Sequence, residues 1–287
     1  MSDGLLSATA ASGIDLRNPS VARVYDYLMD GSSYWAVDRS FGQRLLSQFP
    51  EFRKIARANR VFVHRVVRHL TSIGVRQFID IGSGVLSEEN THQVADRATR
   101  GTKVVYVENE PIAVAHAELF LDEEGDPARH AVVKADLRNP HDLWERAFAT
   151  RVLDRRQPVA VLMFSVLHTI RPEPGRDPAA TLMAYYRDLL PEGSYLGVSH
   201  VTSQDVPDDL SAKLAGLRQL YKDRLSARTY CRSREEINAL LGDLEVIDPG
   251  MVWIPKWDPD DSVDDMTFPT PAHSGIWAGV GRKRKAR

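Results

Sequence analysis

The chain changes from helical periodicity to alternating strands and helices near residue 75. Apolar residues in the first helical stretch recur at Val21, Val24, Tyr25 and Leu28, which is the spacing of one helix face. Further helices are predicted over 41–49 and 52–71, and Gly74 suits a C-terminal helix cap. We therefore expect an N-terminal helical segment over residues 19–74 and a different architecture from residue 75 onward.

Five almost wholly apolar stretches then alternate with helical ones. They read VRQFIDIGSG, KVVYVENE, HAVVKADLR, PVAVLMFSVLH and GSYLGVSH. The helices between them are predicted over 91–100, 112–121, 142–149 and 180–190. Strands that are apolar on both faces are typical of a parallel sheet covered by helices. The sequence therefore predicts an α/β fold with helices on both faces of a mostly parallel sheet.

The last third of the chain departs from this alternation. A long helix is predicted over 203–227, and Ser233 with Glu236 forms a capping box for another helix. The two closing stretches, LEVIDPGMVWIP and IWAGVGRK, have no helix between them, so we expect them to pair antiparallel. The acidic, proline-rich residues 258–274 predict a loop.

Composition excludes several classes of protein. The 287 residues carry a formal net charge of −2, which gives no general attraction to nucleic acid or to anionic membranes. No run of about 18 apolar residues occurs, so no membrane-spanning helix is expected. The single cysteine, Cys231, leaves no internal disulfide and no cysteine-based zinc site. We expect a cytoplasmic protein with a small-molecule substrate, and the sequence does not indicate an oligomeric state.

Both ends of the chain are predicted to lie outside the folded core. Residues 1–18 are small and polar, without the basic and apolar regions of a signal peptide, and we expect them to be disordered. The basic tail 284–287 is predicted to be a solvated end. The core is therefore assigned to residues 75–283.

The strongest chemical signal is the turn Asp80-Ile81-Gly82-Ser83-Gly84, which closes the first predicted strand. Glycines let the backbone approach a ligand, and the N–H groups of such a turn can bind a carboxylate or a phosphate. The charge of Asp80 disfavours a neighbouring pyrophosphate and favours a cation such as an ammonium group. A tight strand–helix turn without a ligand is the alternative.

Two further carboxylates end the next two predicted strands. Glu108 lies near the offset of about 20 residues at which nucleotide-binding sheets place a ribose-binding acid. Asp136 can accept a hydrogen bond from an adenine amine, and Leu137 can pack on the ring. Ligands of open α/β sheets bind at the carboxyl ends of the strands. Three acids in this order therefore favour a cofactor that contains a nucleoside.

The ordered set DIGSG, VVYVENE, ADL and VLMFSVLH resembles the motifs of class I methyltransferases. Together with PSVARVYDYLMDG, ARANRVF, NTHQVA and YLGVSH, it resembles more specifically one bacterial family. This is a family of S-adenosylmethionine-dependent methyltransferases whose substrates are largely unassigned. The resemblance extends over about residues 18–283.

The resemblance implies a Rossmann-like, mostly parallel seven-stranded sheet whose last strand, IWAGVGRK, is antiparallel, and an N-terminal helical lid. It implies S-adenosylmethionine as cofactor and transfer of its methyl group to an O or N nucleophile. The cofactor-binding residues would be Asp80, Gly82, Ser83 and Gly84 at the methionine part, Glu108 with Asn109 at the ribose, Asp136 with Leu137 at the adenine, and Ser165 with Val166 beside the sulfonium.

Three positions depart from the family's pattern. The chain has Met29-Asp30-Gly31 where the family commonly has Leu-Gly-Gly, Gly84-Val85-Leu86-Ser87 where it has GLPT, and Glu108 where the ribose acid is commonly Asp. The exchange at Glu108 keeps the charge. The other two departures concern the lid and the loop near the methionine part, so they bear on turnover more than on fold.

Three histidines are candidates for acid–base chemistry, because an O or N nucleophile loses a proton and histidine titrates near neutral pH. His168 follows the fourth predicted strand and His200 ends the fifth, so both are candidate catalytic residues. Packing beside the cofactor is the alternative role for each. His92 is expected to be a helix-start residue. The spacing of the three matches no common zinc pattern, so no metal is predicted.

The first predicted helix is dense in polar side chains. Arg23 is a candidate for binding the cofactor carboxylate, because a guanidinium matches a carboxylate bidentately. Asp26 and Tyr25 are candidates for orienting the substrate, and an ordinary amphipathic helix docked on the sheet is the alternative. Weaker candidates are Arg57, Asn59, Arg60, Trp35, Trp253 and Trp257, of which the tryptophans are expected in the core.

Two other functions stay open. An NAD-dependent oxidoreductase shares the strand, the glycine turn and the later acid, but its fingerprint needs a third glycine where this chain has Ser87. A cofactor-binding protein without turnover, serving as a sensor or interaction module, would keep the three acids and lack a competent substrate side. His168 and His200 favour the enzyme.

Overall fold

A computed structural model describes residues 17–87, 89–224, 228–257 and 268–284. Predictions for residues 1–16, 225–227, 258–267 and 285–287 lie outside the described residues. Within them, the helices are α1 Val21–Leu28, α2 Ala36–Gln48, α3 Phe52–Ser72, α4 Thr91–Ala98, α5 Pro111–Glu124, α6 Pro140–Ala149, α7 Pro178–Leu189, α8 Asp208–Arg224 and α9 Arg234–Ala239. The strands are β1 Gln77–Ile81, β2 Lys103–Glu108, β3 His130–Lys134, β4 Ala160–Phe164, β5 Tyr195–Val201, β6 Glu245–Val246, β7 Val252–Trp253 and β8 Ile276–Arg282.

The strands form one sheet in the order β3-β2-β1-β4-β5-β8-β6, and β7 also pairs with β8. Strands β1 to β5 are parallel, and β8 runs antiparallel to its three partners. The strand order reverses between β1 and β4, which are neighbours in the sheet. Ligands of open α/β sheets bind beyond the carboxyl ends of the strands at such a reversal. The topology therefore places the candidate site at the ends of β1 and β4.

The stretch LEVIDPGMVWIP, which was predicted to be one strand, forms two short strands. Strands β6 and β7 have two residues each, and Pro249 and Gly250 lie between them, with a φ of +89° at Gly250. Proline lacks the N–H that a strand ladder uses, and glycine adopts the left-handed conformation readily. The sheet consequently has eight strands instead of the seven expected. The antiparallel direction of the last strand is confirmed.

Each face of the sheet buries its own apolar layer, because successive strand residues point to opposite sides. One layer joins Ile79 of β1 to α6 and α7 through Leu143 and Met183. The other joins Phe78, the preceding residue, to α3 through Phe62. Helices on both faces of the sheet are therefore confirmed.

Helices α1 and α2 pack together outside these two layers. Their apolar cluster consists of Val24, Leu28, Phe41 and Leu45 with Ala56 of α3. The remainder of α3 packs on the sheet. The segment 19–74 is therefore not one structural unit, since α3 belongs to a helical layer of the core and only α1 and α2 lie above it.

Two helices begin earlier than predicted, each at a proline. Pro140 begins α6 and Pro178 begins α7, because proline suits the first helical position, whose N–H has no helical partner. The carboxylate of Asp177 caps α7 by accepting from the N–H of Ala179 at 2.9 Å. Among the described residues, none of the helices is long and apolar enough to cross a membrane.

Candidate active site

A cavity of about 430 Å³ lies at the carboxyl ends of β1 to β4, bordered by α1 and α3. Most residues singled out from the sequence line it. These are Tyr25, Asp80, Gly82, Ser83, Gly84, Glu108, Asn109, Asp136, Leu137, Ser165, Val166 and His168. Arg23, Asp26 and His200 do not line it. Motifs far apart in the chain thus meet in one place.

Both glycines of the turn have left-handed backbone conformations, and at Gly82 a side chain would also collide with a neighbour. Gly82 has a φ of +74°, and a Cβ there would lie 2.3 Å from Cγ1 of Val166. Gly84 has a φ of +77° and lies under α1, where a Cβ would be 4.0 Å from the Cβ of Ala22. A side chain at position 82 would strain the backbone and collide with the opposite wall. The turn therefore leaves bare backbone facing the cavity.

Asp80 is the penultimate residue of β1 and a buried carboxylate that is 7 % exposed. Its Oδ2 accepts a hydrogen bond of 2.6 Å from the hydroxyl of Thr91, at the start of α4. Burial raises the pKa of Asp80, while the Thr91 hydrogen bond and the charge of Arg60 oppose the rise. The carboxylate is thus held rigidly at the base of the glycine turn.

Glu108 ends β2 and is bound to the same turn. Its Oε1 accepts from the N–H of Gly84 at 2.5 Å and from the hydroxyl of Ser83 at 3.4 Å. Burial raises the pKa of Glu108 to about 8, and the charges of Asp80 and Glu110 add to the rise. Because Oε1 serves the turn, Oε2 is left to accept hydrogen bonds from a ligand.

Asp136, which follows β3, is bound by an arginine two residues later. Arg138 donates from Nε to Oδ1 at 2.9 Å and from Nη2 to Oδ2 at 2.5 Å. These hydrogen bonds lower the pKa of Asp136. The Asp136 side chain is still 29 % exposed, so a ligand amine can reach it beside the guanidinium.

Ser165 follows β4 with a φ of +55°, which is uncommon for a residue with a side chain. Its N–H lies 3.0 Å from Oγ of Ser199, and the Ser199 hydroxyl donates to Oδ1 of Asn59 at 2.8 Å. Asn59 lines the cavity and is 5 % exposed. This chain of hydrogen bonds joins α3 to the ends of β4 and β5 beside the expected sulfonium position.

The two candidate histidines occupy different positions. His168 lines the cavity, whereas His200 is fully buried behind it, with ring centroids 5.9 Å apart. Burial lowers the pKa of His168 to about 4 and that of His200 to about 3. Both imidazoles are therefore neutral near pH 7. Only His168 is placed to touch a ligand in the cavity.

Arg232 is a site residue that the sequence analysis missed. It is 2 % exposed and binds Asp177 through Nε at 2.6 Å and Nη2 at 2.8 Å. Its Nη1 lies 2.8 Å from Nε2 of His200. The only signal in the sequence was Asp177 before Pro178, which marks a helix start and does not indicate a partner 55 residues away.

Arg23 is engaged inside the N-terminal segment instead of at the cavity. Its Nε lies 2.6 Å from Oδ2 of Asp38, and its Nη2 donates to the carbonyl of Asn18 at 3.2 Å. The guanidinium also stacks on Trp35, 3.9 Å from the ring centroid. The expected pairing with a cofactor carboxylate is therefore not what the geometry supports, because α2 supplies a buried carboxylate that already binds Arg23.

Asp26 and Tyr25, the two lid candidates, differ in what they face. Asp26 is buried, its Oδ2 accepts from the N–H of Ser33 at 2.8 Å, and its Oδ1 has no hydrogen-bond partner among the described residues. Burial raises the pKa of Asp26. Tyr25 lines the cavity and donates to the carbonyl of Ala56 at 3.0 Å. Only Tyr25 is therefore positioned to contact a substrate directly.

The turn Met29-Asp30-Gly31, where the family commonly has Leu-Gly-Gly, connects α1 to α3 by ion pairs. Asp30 has a φ of +60° and forms ion pairs with Arg53 and Arg57 of α3. A Cβ on Gly31 would lie 2.0 Å from Oδ1 of Asp26. The turn thus closes tightly over the Asp26 carboxylate.

His92 and two of the three candidate tryptophans pack in or against the core, whereas Trp35, expected there as well, is half-buried against Arg23. His92 contacts the hydroxyl of Tyr106 through its backbone N–H at 3.0 Å and through Nδ1 at 2.7 Å. Trp257 is fully buried against Phe62, and Trp253 stacks on another indole at 3.8 Å. Within the described part of the chain, no cluster of three or more His, Cys, Asp or Glu side chains could hold a metal ion.

Two arginines line the cavity, Arg60 and Arg138. The guanidinium of Arg138 forms an ion pair with Asp136. None of the ion pairs among the described residues uses Arg60, although its charge opposes the rise that burial causes in the pKa of Asp80 and of Asp26. Arg60 therefore lines the cavity without an ion-pair partner among the described residues.

Comparison with known proteins gives one family. The model of the S-adenosyl methyltransferase family matches residues 7–284. A candidate methyltransferase from Thermobifida fusca YX is 31% identical, with a TM-score of 0.82 over 95% of this chain and 98% of that chain. A DUF574 family protein from Streptomyces avermitilis MA-4680 is 29% identical, with a TM-score of 0.83 over 94% and 99% of the two chains. No curated protein matches this chain.

The cavity fits the cofactor that this family uses. The bare backbone at Gly82 is a cradle that a Cβ would fill, and Oε2 of the buried Glu108 suits the hydroxyl donors of a ribose. Asp136 lies one strand further, where an adenine amine would follow the ribose. The chain belongs to the S-adenosyl methyltransferase family and is an S-adenosylmethionine-dependent methyltransferase.

Proposed function

We propose that the enzyme transfers the methyl group to an oxygen or nitrogen atom of a small molecule bound in the cavity described above. The observation that carries this proposal is the convergence of the glycine turn, Glu108, Asp136 and His168 on one cavity of about 430 Å³. Small-molecule sites commonly occupy about 300–1,000 Å³. When bound, S-adenosylmethionine supplies an electrophilic methyl group on a positively charged sulfur.

We propose cofactor-binding roles for the residues at the strand ends. Oε2 of Glu108 accepts from the ribose hydroxyls, beside Asn109, and Asp136 accepts from the adenine amine while Leu137 packs on the ring. The N–H groups of Gly82, Ser83 and Gly84, together with Asp80, face the methionine part, and Ser165 and Val166 border the sulfonium. The shared lining of the cavity supports these assignments.

We propose Arg60, in place of Arg23, as the partner of the cofactor carboxylate. Arg60 lines the cavity next to Asp80, so a carboxylate and an ammonium on one amino-acid moiety could pair with the two residues. Arg23 is already bound to Asp38 at 2.6 Å. A guanidinium binds a carboxylate more strongly than neutral donors do.

His168 is the proposed contact to the methyl acceptor. It follows Ser165 by one short turn and lines the cavity on the side of the proposed sulfonium position. As a neutral imidazole, it can accept a hydrogen bond from an acceptor O–H or N–H. A hydroxyl that attacks while still protonated becomes a strong acid as the new bond forms, so a base with a pKa of about 4 suffices to take the proton. Tyr25 and Asn59 complete this side of the cavity.

His200 and Asp26 are proposed to act only through other residues. His200 is buried and its Nε2 lies against Arg232, and Asp26 is buried under the turn at Gly31. Neither lines the cavity. Together with α2, helix α1 is proposed to be the lid, because its residues Val21, Ala22 and Tyr25 cover the glycine turn.

The proposed setting is the cytoplasm of a bacterium, without nucleic-acid or membrane partners. The similar structures from Thermobifida fusca and Streptomyces avermitilis support a bacterial source. The net charge of −2 and the single cysteine support a reducing compartment and a small-molecule substrate.

A screen for methyl transfer tests the proposal. The purified enzyme is incubated with S-adenosylmethionine and a panel of phenols, alcohols and amines, and mass spectrometry follows methylated products and S-adenosylhomocysteine. We expect at least one acceptor to be methylated, and His168→Gln to slow its turnover more than tenfold while cofactor affinity is kept. Tight cofactor binding without turnover of any panel member would instead favour the non-catalytic sensor.

A further inference from the structure

The buried Arg232 binds the chain segment that follows β4 and forms one wall of the cavity. A guanidinium has five N–H groups and no acceptor, and all five have partners here. Asp177 accepts two at 2.6 and 2.8 Å, the carbonyls of Leu167 and Ile170 accept at 3.2 and 3.0 Å, and Nε2 of His200 lies 2.8 Å from Nη1. A fully bonded side chain that is 2 % exposed is fixed in place.

These bonds enclose the short helical turn Leu167–Thr169, which carries His168 into the cavity wall. Arg232 binds the carbonyls at both ends of the turn. The N–H of Tyr230 donates to the carbonyl of His168 itself at 2.8 Å. Tyr230 and Arg232 therefore hold the backbone of this turn at three carbonyls, those of residues 167, 168 and 170.

The same arginine determines the protonation of His200. Because a guanidinium only donates, Nε2 of His200 must be the nitrogen that carries the lone pair. The proton then sits on Nδ1, which lies 2.8 Å from the carbonyl of Val201 and can donate to it. His200 is thus a neutral imidazole with a fixed ring, and its ring meets the ring of His168 edge to face at 89°.

We propose that Arg232 is the positioning residue for His168 in methyl transfer, acting through the Leu167–Thr169 turn and through the ring of His200. This inference rests on the proposed role of His168 at the acceptor. Arg232 touches neither cofactor nor acceptor, since it does not line the cavity. Its effect is to hold the His168 imidazole in one orientation, and its positive charge adds to the burial that keeps this imidazole neutral.

Electrostatics agrees with this geometry. Among the described residues, the charged groups that act on the two imidazoles are Arg232 and Asp177, and the imidazole of His168 also lowers the pKa of His200. Burial lowers the pKa of His168 first, and the positive charge of Arg232 lowers it further. Loss of the guanidinium charge should therefore raise the pKa of His168.

The test compares Arg232→Met and Arg232→Lys with a neighbouring control, Arg234→Met. Arg234 donates to the carbonyl of Met251 and packs on Trp277, so it shares the surroundings of the α9 start without touching either histidine. The measurement is the ¹⁵N and ¹H spectrum of the histidine side chains in the S-adenosylhomocysteine complex, titrated over pH. Unfolding temperature and affinity for S-adenosylhomocysteine are recorded for each variant.

We expect Arg232→Met to move the titration midpoint of His168 upward by about one pH unit or more, toward the ordinary value of about 6.5. The Nε2 signal of His200 should change as well, while affinity for S-adenosylhomocysteine stays within about twofold. If Arg232→Met does not fold, Arg232→Lys decides the matter. A lysine at position 232 keeps the positive charge but cannot donate to all five acceptors of the guanidinium. The side-chain signals of His168 and His200 should therefore shift or broaden.

A folded Arg232 variant whose histidine spectra match those of Arg234→Met would overturn the proposal and leave Arg232 as a stabilising residue only. Failure of the proposed function looks different, since the wild-type enzyme would then bind S-adenosylhomocysteine but methylate no member of the acceptor panel. In that case the same spectra still report whether Arg232 positions His168.

Discussion

Glu108 and Gly84 are joined by a hydrogen bond of 2.5 Å, although 24 residues separate them in the chain. The bond connects the end of β2 to the glycine turn after β1. Only Oε1 makes this bond, and the side chain of Glu108 lines the cavity beside the turn. The acid therefore shapes the turn, and we propose that its Oε2 binds the ribose.

Replacing Glu108 by glutamine should weaken cofactor binding about tenfold to a hundredfold, because a hydrogen bond to a charged group contributes about 1.5–3 kcal/mol. The amide oxygen can still accept from the N–H of Gly84, so the turn should persist. Calorimetric titration with S-adenosylhomocysteine measures the effect. Glu123→Gln on the exposed side of α5 is the matched control and should bind like the wild type.

The raised pKa of Glu108 predicts a pH dependence. Burial raises this pKa from about 4.5 to about 8, so the free enzyme is largely protonated at Glu108 below pH 8. Since the carboxylate is the form that accepts two ribose hydroxyls, cofactor affinity should rise toward pH 8, by at most about tenfold per pH unit. Titrations at several pH values should show this rise in the wild type and not in Glu108→Gln.

The same pKa shift has a consequence for stability without ligand. Between pH 4.5 and 8 the folded state holds a proton at Glu108 that the unfolded chain releases. The free energy of unfolding should therefore fall as pH rises through this window, relative to Glu108→Gln. Urea unfolding at pH 5 and pH 8 checks the sign. A difference between the two proteins that grows in the opposite direction would show that Glu108 is not buried as described.

Arg60 should be responsible for recognising the cofactor carboxylate. The wild type is expected to bind S-adenosylmethionine at least about tenfold more tightly than decarboxylated S-adenosylmethionine, and Arg60→Met should lose this preference. Arg57→Met is the control on the same helix, because Arg57 pairs with Asp30 and does not line the cavity. Arg23→Met should lower stability by removing the partner of the buried Asp38, yet leave the preference intact.

Gly31 should be required for closure of the turn after α1. A Cβ there would lie 2.0 Å from Oδ1 of Asp26, so Gly31→Ala should lower the free energy of unfolding by about 1–3 kcal/mol. Gly216→Ala is the matched control, because a Cβ in that part of α8 meets nothing within 4 Å, and it should raise stability by about 0.5–1 kcal/mol. Chemical unfolding measures the free energy of unfolding of both variants. Equal changes in Gly31→Ala and Gly216→Ala would contradict this role of Gly31.

The positions of the three acids could be predicted because they depend on strand direction alone. Carboxyl ends of parallel strands share one edge of the sheet, so Asp80, Glu108 and Asp136 had to meet once the strands were recognised. Their offsets from the glycine turn, together with the family motifs, then indicated the cofactor. The packing of helices on both faces followed from the apolar strands.

The roles of the arginines could not be predicted, because they depend on which side of a helix faces the sheet and on partners far along the chain. Arg23 was a candidate because a guanidinium suits the cofactor carboxylate, yet Asp38 binds it from α2. Arg60 seemed the weaker candidate and lines the cavity. Arg232 meets Asp177 and His200 only through the tertiary fold. The division of the predicted sixth strand into β6 and β7 could not be predicted either. The pair Pro249-Gly250 that separates them is also compatible with the end of a strand.

Calorimetric titration of the wild type and of Asp80→Ala with S-adenosylmethionine, S-adenosylhomocysteine and NAD tests whether this cavity binds the cofactor. We predict micromolar binding of both sulfur compounds by the wild type, no binding of NAD, and at least about tenfold weaker binding by a folded Asp80→Ala variant. A folded wild type that binds neither sulfur compound, or an Asp80→Ala variant that binds them equally well, would contradict the assignment of the cofactor to this cavity.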